Sequence, residues 1–342
     1  MWQMISQVVL IARWTALSLC LNVILLVIIS HQFPSGKHDQ PVSATTPEPS
    51  VILPKVTEPS VSVPSQSAIT EPSVSSQSVI LSTAESLYAM YGVGNFADDD
   101  PNLLNYIRSM TSQQGPGGRN LSDPSRVDFS QVGGSRFVDS LLKQRRNGFF
   151  VECGSFDGEH LSDSLFFELE RNWTGILIEA HPEYHREILM KNRRARVLRA
   201  CLHPRPGLTK FRLAGWGSGV SVFNKNFPAW DTTTVETDVQ CFSLNSIMAA
   251  IGVRHIDFLE LDVEGSELPV LKSIDWTKLS VDVFSIEYSI SGQNDNRVDK
   301  LNAIRDFFNE TSRVTGRRYR EVGLLPLGYT EDTTQDVIFM RE

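Results

Sequence analysis

Cysteine is scarce, four in 342 residues, too few for a disulfide-dense scaffold. Basic residues are outnumbered, 32 Lys and Arg against 40 Asp and Glu for a net charge of −8. A general nucleic-acid binder resting on a basic face is therefore excluded. The 22 glycines follow no collagen-like period. Only one apolar run is long enough to cross a bilayer, which excludes a polytopic membrane protein.

What is present is unevenly spread. The one long apolar run is Val8 to Ile29, whose single charge is Arg13. Its length suits a transmembrane helix over 8–30, with Arg13 able to snorkel and Trp14 suited to the interface. A cleaved signal peptide is the competing reading, but Ile28 and Ser30 make a poor cleavage site. Eight of the 17 prolines follow, between Pro34 and Pro72. Residues 31–86 read as a disordered Pro/Ser/Thr-rich stalk in which Glu-Pro-Ser-Val recurs at Glu48, Glu58 and Glu71. Arg13 and three sequons, at Asn120, Asn172 and Asn309, favour a type II membrane protein with its bulk in the secretory lumen.

Residues 87–126 read as a linker with a short helix opened by Asp100-Pro101. Asp98-Asp99-Asp100 fits the Asp-x-Asp pattern of metal-dependent sugar-nucleotide transferases, although an N-cap explains it as well. From 127 to 342 apolar strands alternate with helices: strands at 148–153, 176–180, 196–201, 256–262 and 281–288, and helices at 136–147, from 162, from 182, at 244–250, 266–274 and 298–308. That pattern implies an α/β fold, a doubly wound and mainly parallel sheet. Two final runs, Tyr319–Leu325 and Asp336–Met340, have no helix between them and imply an antiparallel edge hairpin.

Ligands of such sheets bind beyond the carboxyl ends of the strands, and three of those ends carry acids. The first is Glu152-Cys153-Gly154-Ser155-Phe156-Asp157-Gly158-Glu159, where a glycine directly after a strand lets backbone approach a ligand. Its glycine spacing is not the Gly-x-Gly-x-x-Gly dinucleotide fingerprint. The second is Glu179, placed where doubly wound folds bind ribose hydroxyls. The third is Glu260-Leu261-Asp262-Val263-Glu264-Gly265, in which strand alternation sets Glu260, Asp262 and Glu264 on one side. His181 and His185, at i and i+4, could ligate a metal but lack a third ligand. The basic run Lys191 to Arg199 reads as a solvated helix end. Cys201 and Cys241 flank a polar insert; lumenal placement would allow a disulfide, and sequence does not set their distance.

Glu152-Cys153-Gly154-x-x-x-Gly158 with Glu179 resembles the first motifs of class I (Rossmann-like) S-adenosylmethionine-dependent methyltransferases. Ser243-Leu244-Asn245-Ser246-Ile247, Ile256-Asp257-Phe258-Leu259, Asp262-Val263-Glu264-Gly265-x-Glu267 and Ile286-Glu287 resemble the FkbM methyltransferase family. One departure is Glu260, where that family's motif usually has lysine. Ser130–Gly133, Phe137–Leu142, Arg145–Phe150, Leu165–Gly175 and Asn192–Ala195 resemble the invertebrate Star proteins and their relatives. These resemblances imply S-adenosylmethionine as cofactor, with Glu152, Gly154, Ser155, Phe156 and Gly158 around its methionine part. Asp157 would meet its ammonium and Glu179 its ribose. Asp262, backed by Glu264, would orient or deprotonate an acceptor hydroxyl, a glycan in a lumenal setting. The Star-like resemblance implies an alternative, non-catalytic escort of membrane-bound growth-factor precursors from endoplasmic reticulum to Golgi. It also implies residence in those membranes, with endosome or plasma membrane as further stations. No nucleic-acid partner and no resident metal are expected.

Overall fold

The computed structural model describes residues 96–342 apart from 114, 116, 214–217, 222–234, 289–296 and 327–334. The expected anchor at 8–30 and stalk at 31–86 lie outside these residues. No helix among the described residues is long and apolar enough to cross a membrane.

Among the described residues twelve strands form two sheets. In chain order they are β1 (Thr111–Ser112), β2 (Phe149–Cys153), β3 (Thr174–Ile178), β4 (Arg196–Leu198), β5 (Cys201–Leu202), β6 (Gly207–Leu213), β7 (Gly219–Val220), β8 (Val235–Phe242), β9 (His255–Leu261), β10 (Ser280–Glu287), β11 (Tyr319–Leu325) and β12 (Asp336–Arg341). The large sheet runs β1-β4-β3-β2-β9-β10-β12-β11. Its inner strands β4, β3, β2, β9 and β10 are parallel, and β12 is antiparallel to both β10 and β11. The edge hairpin is therefore present, with its second strand wedged inside. The chain starts at β2 and works outward through β3 and β4, then returns to β2's other side with β9. That reversal puts a crevice beyond the carboxyl ends of β2 and β9.

Alternation along the strands sorts the core into two faces. Val151, Ile176, Leu259 and Phe284 pack on one face with helices α1 (Pro101–Met110), α5 (Leu244–Ile251), α6 (Glu267–Lys272) and α7 (Arg297–Thr315). Phe150, Leu177, Phe258 and Val283 pack on the other with α2 (Gly134–Leu141), α3 (Leu165–Glu170) and α4 (Pro182–Lys191). Each such wholly buried Leu, Ile or Phe contributes roughly 1.5–3 kcal/mol.

Several local expectations are corrected. The helix expected in the linker, α1, belongs to the core, with Leu103 and Ile107 fully buried and Arg108 Nε donating to Ala250 O at 2.7 Å. Helix α2 ends at Leu141, short of Asn147, because Lys143, Gln144 and Asn147 all take positive φ. Helix α7 runs on to Thr315, well past Phe308. The polar insert forms a second sheet, β5-β8-β6-β7. There β5 and β8 pair Cys201 with Cys241, and the two are joined by a disulfide with Cα atoms 4.4 Å apart.

Candidate functional site

The turn after β2 is built by contacts that only glycine permits. Gly154 has φ +83°, and a Cβ there would lie 1.8 Å from the backbone oxygen of Asp262. The two strand ends are tied by Asp262 N donating to Cys153 O at 3.1 Å. Gly158 also takes positive φ, with Ile188 of α4 closing over it. Phe156 is held at φ 48°; its amide donates to Glu179 Oε2 at 3.0 Å, while the His181 amide donates to Glu179 Oε1 at 2.7 Å. Burial raises the Glu179 carboxyl to about 7 against the pull of these amides.

Two cavities open at this point. One, of about 580 Å³, has an apolar wall that includes Ile178, Leu202, Phe211 and Val220, and Glu179 stands within it. Tyr184 crosses the Phe156 ring edge-on at 4.4 Å on the same wall. The other, of about 660 Å³, is lined by the carboxylates of Glu152, Asp163, Glu260, Asp262, Glu287 and Asp336, and no lysine or arginine among the described residues lines it. Gly154, Phe156 and Asp262 line both.

The register explains how so many acids meet. Glu152 on β2 pairs with Glu260 on β9, so both reach the same face at adjacent strand ends. Burial, followed by the neighbouring acids, pushes Asp163, Glu260 and Glu287 well above the ordinary carboxyl range. The expectation that Glu264 continues the row is corrected. β9 stops at Leu261, and Glu264 takes φ 54° in a turn closed by Glu267, whose Oε1 accepts from the Val263 and Gly265 amides, both at 3.0 Å. Glu264 therefore lines the apolar-walled cavity and Glu260 the acidic one.

These shifts give a pH dependence with a definite sign. Glu179 and Glu267 rise from 4.5 to about 7, Asp336 from 3.8 to about 7, and Glu264 from 4.5 to about 9, burial leading in each. The folded state therefore holds protons that the unfolded state has released. That stability is complete below the ordinary carboxyl values and is lost as pH rises through 7 toward 9. The buried His181 and the half-buried His185 are lowered from 6.5, burial leading in both, and act in the opposite sense only below that value. In chelator-treated buffer the melting temperature is expected to fall between pH 6.5 and 8.5; a rise would contradict the assignment.

Other predicted site residues have their side chains already engaged. Glu152 accepts from the hydroxyls of Ser162 and Ser164 and from the Asp163 amide. Asp157 accepts from the Glu159 and His160 amides, both at 2.8 Å, and faces the His160 ring at 2.6 Å. The Ser155 hydroxyl donates to Glu152 O. Glu159 is 1% exposed as a side chain. Burial would raise its carboxyl, but Lys191 and the Ser122 and Asp123 amides outweigh that and hold it at about 2.

The residue that sequence reasoning missed is Arg193. The basic run is not a solvated helix end at this position: Arg193 is 0% exposed. It bonds Glu168 at 2.9 Å, Gly158 O at 2.8 Å, Ser162 at 2.9 Å and Ser164 at 2.8 Å, with Glu152 at 3.6 Å. Asn192 ends α4 in the left-handed conformation, so the chain turns there just before Arg193. The acidic triplet is structural. Asp98 accepts from Ser243, Asn245 and Ser246 of the α5 terminus, Asp99 pairs with Lys278, and Asp100 caps α1. His181 caps α4 through Glu183 N and does not join His185 in a metal-ligating group.

None of the curated proteins matches the chain. Among solved structures it is similar to methyltransferase FkbM from Methylobacillus flagellatus KT, at 13% identity and TM-score 0.37 over 78% of this chain and 60% of that one. It is similar also to the O-methyltransferase from Bacillus cereus in complex with SAH, at 12% identity and TM-score 0.34 over 71% and 91% of the two chains. A third likeness is to precorrin-6y C5,15-methyltransferase from Geobacter metallireducens GS-15, at 11% identity and TM-score 0.34 over 66% and 98%. The present chain thus spans less than two thirds of the first of these. Residues 152–320, from the end of β2 into β11, match the family described as Methyltransferase FkbM domain, which supports a methyltransferase-fold domain.

Proposed function

We propose that the domain binds S-adenosylmethionine in the apolar-walled cavity and transfers its methyl group to a hydroxyl acceptor, a glycan, entering from the acidic one. The carrying observation is that the two cavities meet at Gly154, Phe156 and Asp262. The residues fit the cofactor. Each Glu179 oxygen accepts one backbone amide, which leaves lone pairs for ribose hydroxyls. Phe156, Tyr184 and Phe211 supply flat apolar surface. Asp157, filled by its own turn, is not available to an ammonium without rearrangement. When bound, the cofactor supplies an electrophilic methyl group, so the protein's work is alignment. Asp262 stands at the seam with Oδ1 buried and unpartnered. Burial holds its carboxyl raised, so it suits orienting an acceptor hydroxyl better than stripping its proton at neutral pH.

Calorimetry on the full-length protein tests this reading. S-adenosylmethionine is expected to bind, and Glu179→Ala to weaken it about thirtyfold, equivalent to two lost hydrogen bonds of roughly 1 kcal/mol each. Absence of binding to the wild type would overturn it.

The disulfide Cys201–Cys241 and the apolar run at 8–30 support a type II protein of the endoplasmic reticulum and Golgi membranes, with its domain in the oxidising lumen. One observation favours the escort reading beside catalysis. Glu260 adds a carboxylate to a cavity already ringed by five, where the resembling motif carries lysine. Export of a membrane-bound growth-factor precursor that survives Glu179→Ala while cofactor binding is lost would favour escort.

A further inference from the structure

We infer that the groove between α7 and the loop joining α6 to β10 is a docking site for the chain's own residues 87–95. The groove follows from the pattern of α7. Leu301, Ile304 and Phe308 are its buried, inward residues. Ala303, Phe307 and Val314 follow helical spacing and make a second apolar stripe beside the first. That stripe and Trp276, whose ring stands 6.4 Å from that of Phe307, line a groove of about 940 Å³. Val314 is 66% exposed, the highest value among the large hydrophobic residues described. Single exposed apolar residues are ordinary, but a contiguous apolar groove with two aromatic rings marks a surface that something covers.

The place where the described chain begins identifies the occupant. Phe96 packs on the same core cluster as Trp276 and Phe307. Asp98 accepts from Asn245 Nδ2 at 3.0 Å, and Asn245 donates to Ser273 O at 2.8 Å and accepts from the Asp275 amide at 2.9 Å. Asp99 pairs with Lys278 at 3.0 Å. The chain is thus fastened to the loop on either side of Trp276 in sequence, and the residues before Phe96 set out from beside the groove. Residues 87–95 carry no charge and offer Leu87, Tyr88, Met90, Tyr91 and Val93, whereas residues 31–86 hold a single aromatic, Phe33. Fully extended, these nine residues reach about 30 Å at about 3.3 Å each. The stretch of α7 from Ala303 to Val314 is about 17 Å long at about 1.5 Å per residue, so the segment is long enough to follow it. Its tyrosine hydroxyls can donate to the carboxylates of Asp306 and Glu310, which also line the groove. Tethering favours this occupant over a second copy, because a segment joined next to its site acts at an effective concentration on the order of 1 mM. The docking stands whether or not the domain transfers a methyl group.

The test is hydrogen–deuterium exchange of the full-length protein read by mass spectrometry, with circular dichroism as the check on folding. The amides of 87–95 are expected to exchange at least about tenfold more slowly than in a free synthetic peptide of the same residues. Val314→Lys, at an exposed position, is expected to remove most of that protection, and Ala303→Lys, read alongside it in case one variant misfolds, to do the same. Met190→Lys, at an exposed apolar residue of α4 on the opposite face of the sheet, is expected to change nothing. Exchange of 87–95 at the free-peptide rate, or equal protection in the wild type and in each folded groove variant, would overturn the docking. So would protection of α7 that rises with protein concentration while 87–95 exchange freely, which would put a second copy in the groove.

Discussion

Gly154→Ala is expected to destabilise the domain by about 3–5 kcal/mol. Two independent costs add. The residue sits at φ +83°, where an L side chain is strained by roughly 1–2 kcal/mol. Its Cβ would also lie 1.8 Å from the Asp262 backbone oxygen. That atom is backbone at the end of a central strand, so relief requires prising β9 from β2 and losing the Asp262 N to Cys153 O bond, a disruption of about 2–3 kcal/mol. Gly252→Ala separates the two. Gly252 shares the backbone conformation, at φ +75°, with nothing within 4 Å of the added atom; it should lose only the strain, about 1–2 kcal/mol. Urea midpoints of the two variants decide the matter, and equal losses would show that the close approach to Asp262 is not constraining. The same contact gives this glycine a structural role: it sets the distance between the two strand ends that flank the crevice.

Arg193→Met is expected to cost about 3–5 kcal/mol, the range for removing one partner of a buried charge pair. The guanidinium is wholly enclosed and joins α3, the Gly158 turn and the glutamates Glu152 and Glu168. Methionine fills similar volume but leaves Glu168, a side chain at 0% exposure, with Arg119 as its remaining ion pair. Arg194→Ala, one residue along and exposed, should stay within about 0.5 kcal/mol. Chemical denaturation of both variants checks the contrast, and comparable small losses would demote Arg193 to an ordinary surface residue. A loosened Gly158 turn should also weaken ligand binding in the adjoining cavity, because Gly158 O is one of the bonds lost.

Much of this site was legible before any tertiary contact was known. The apolar runs at β2, β3, β9 and β10 marked a covered parallel sheet, and Gly154, Glu179 and Asp262 were readable as residues just beyond strand ends. Pro182 marked the start of α4. What misled was continuation of a local pattern past its real end. Strand alternation extended to Glu264 failed because Glu267 closes a turn there. Helical periodicity extended to Asn147 failed because three residues after α2 adopt positive φ. Arg193 carried no local signal, since a basic residue after a helix is ordinarily solvated.

The sequence by itself determined the layered α/β plan and the placing of acids at strand ends, because side-chain period and turn chemistry act over a few residues. Tertiary structure decided which acids share a cavity, which are already compensated and which remain without partners. Those outcomes depend on register between strands far apart in the chain. Glu152 meets Glu260, and Gly154 meets Asp262, only because β9 returns to lie beside β2. Burial then makes each unpaired oxygen consequential, since a carboxylate that is harmless in water becomes a demand for a proton, a hydroxyl or a cation.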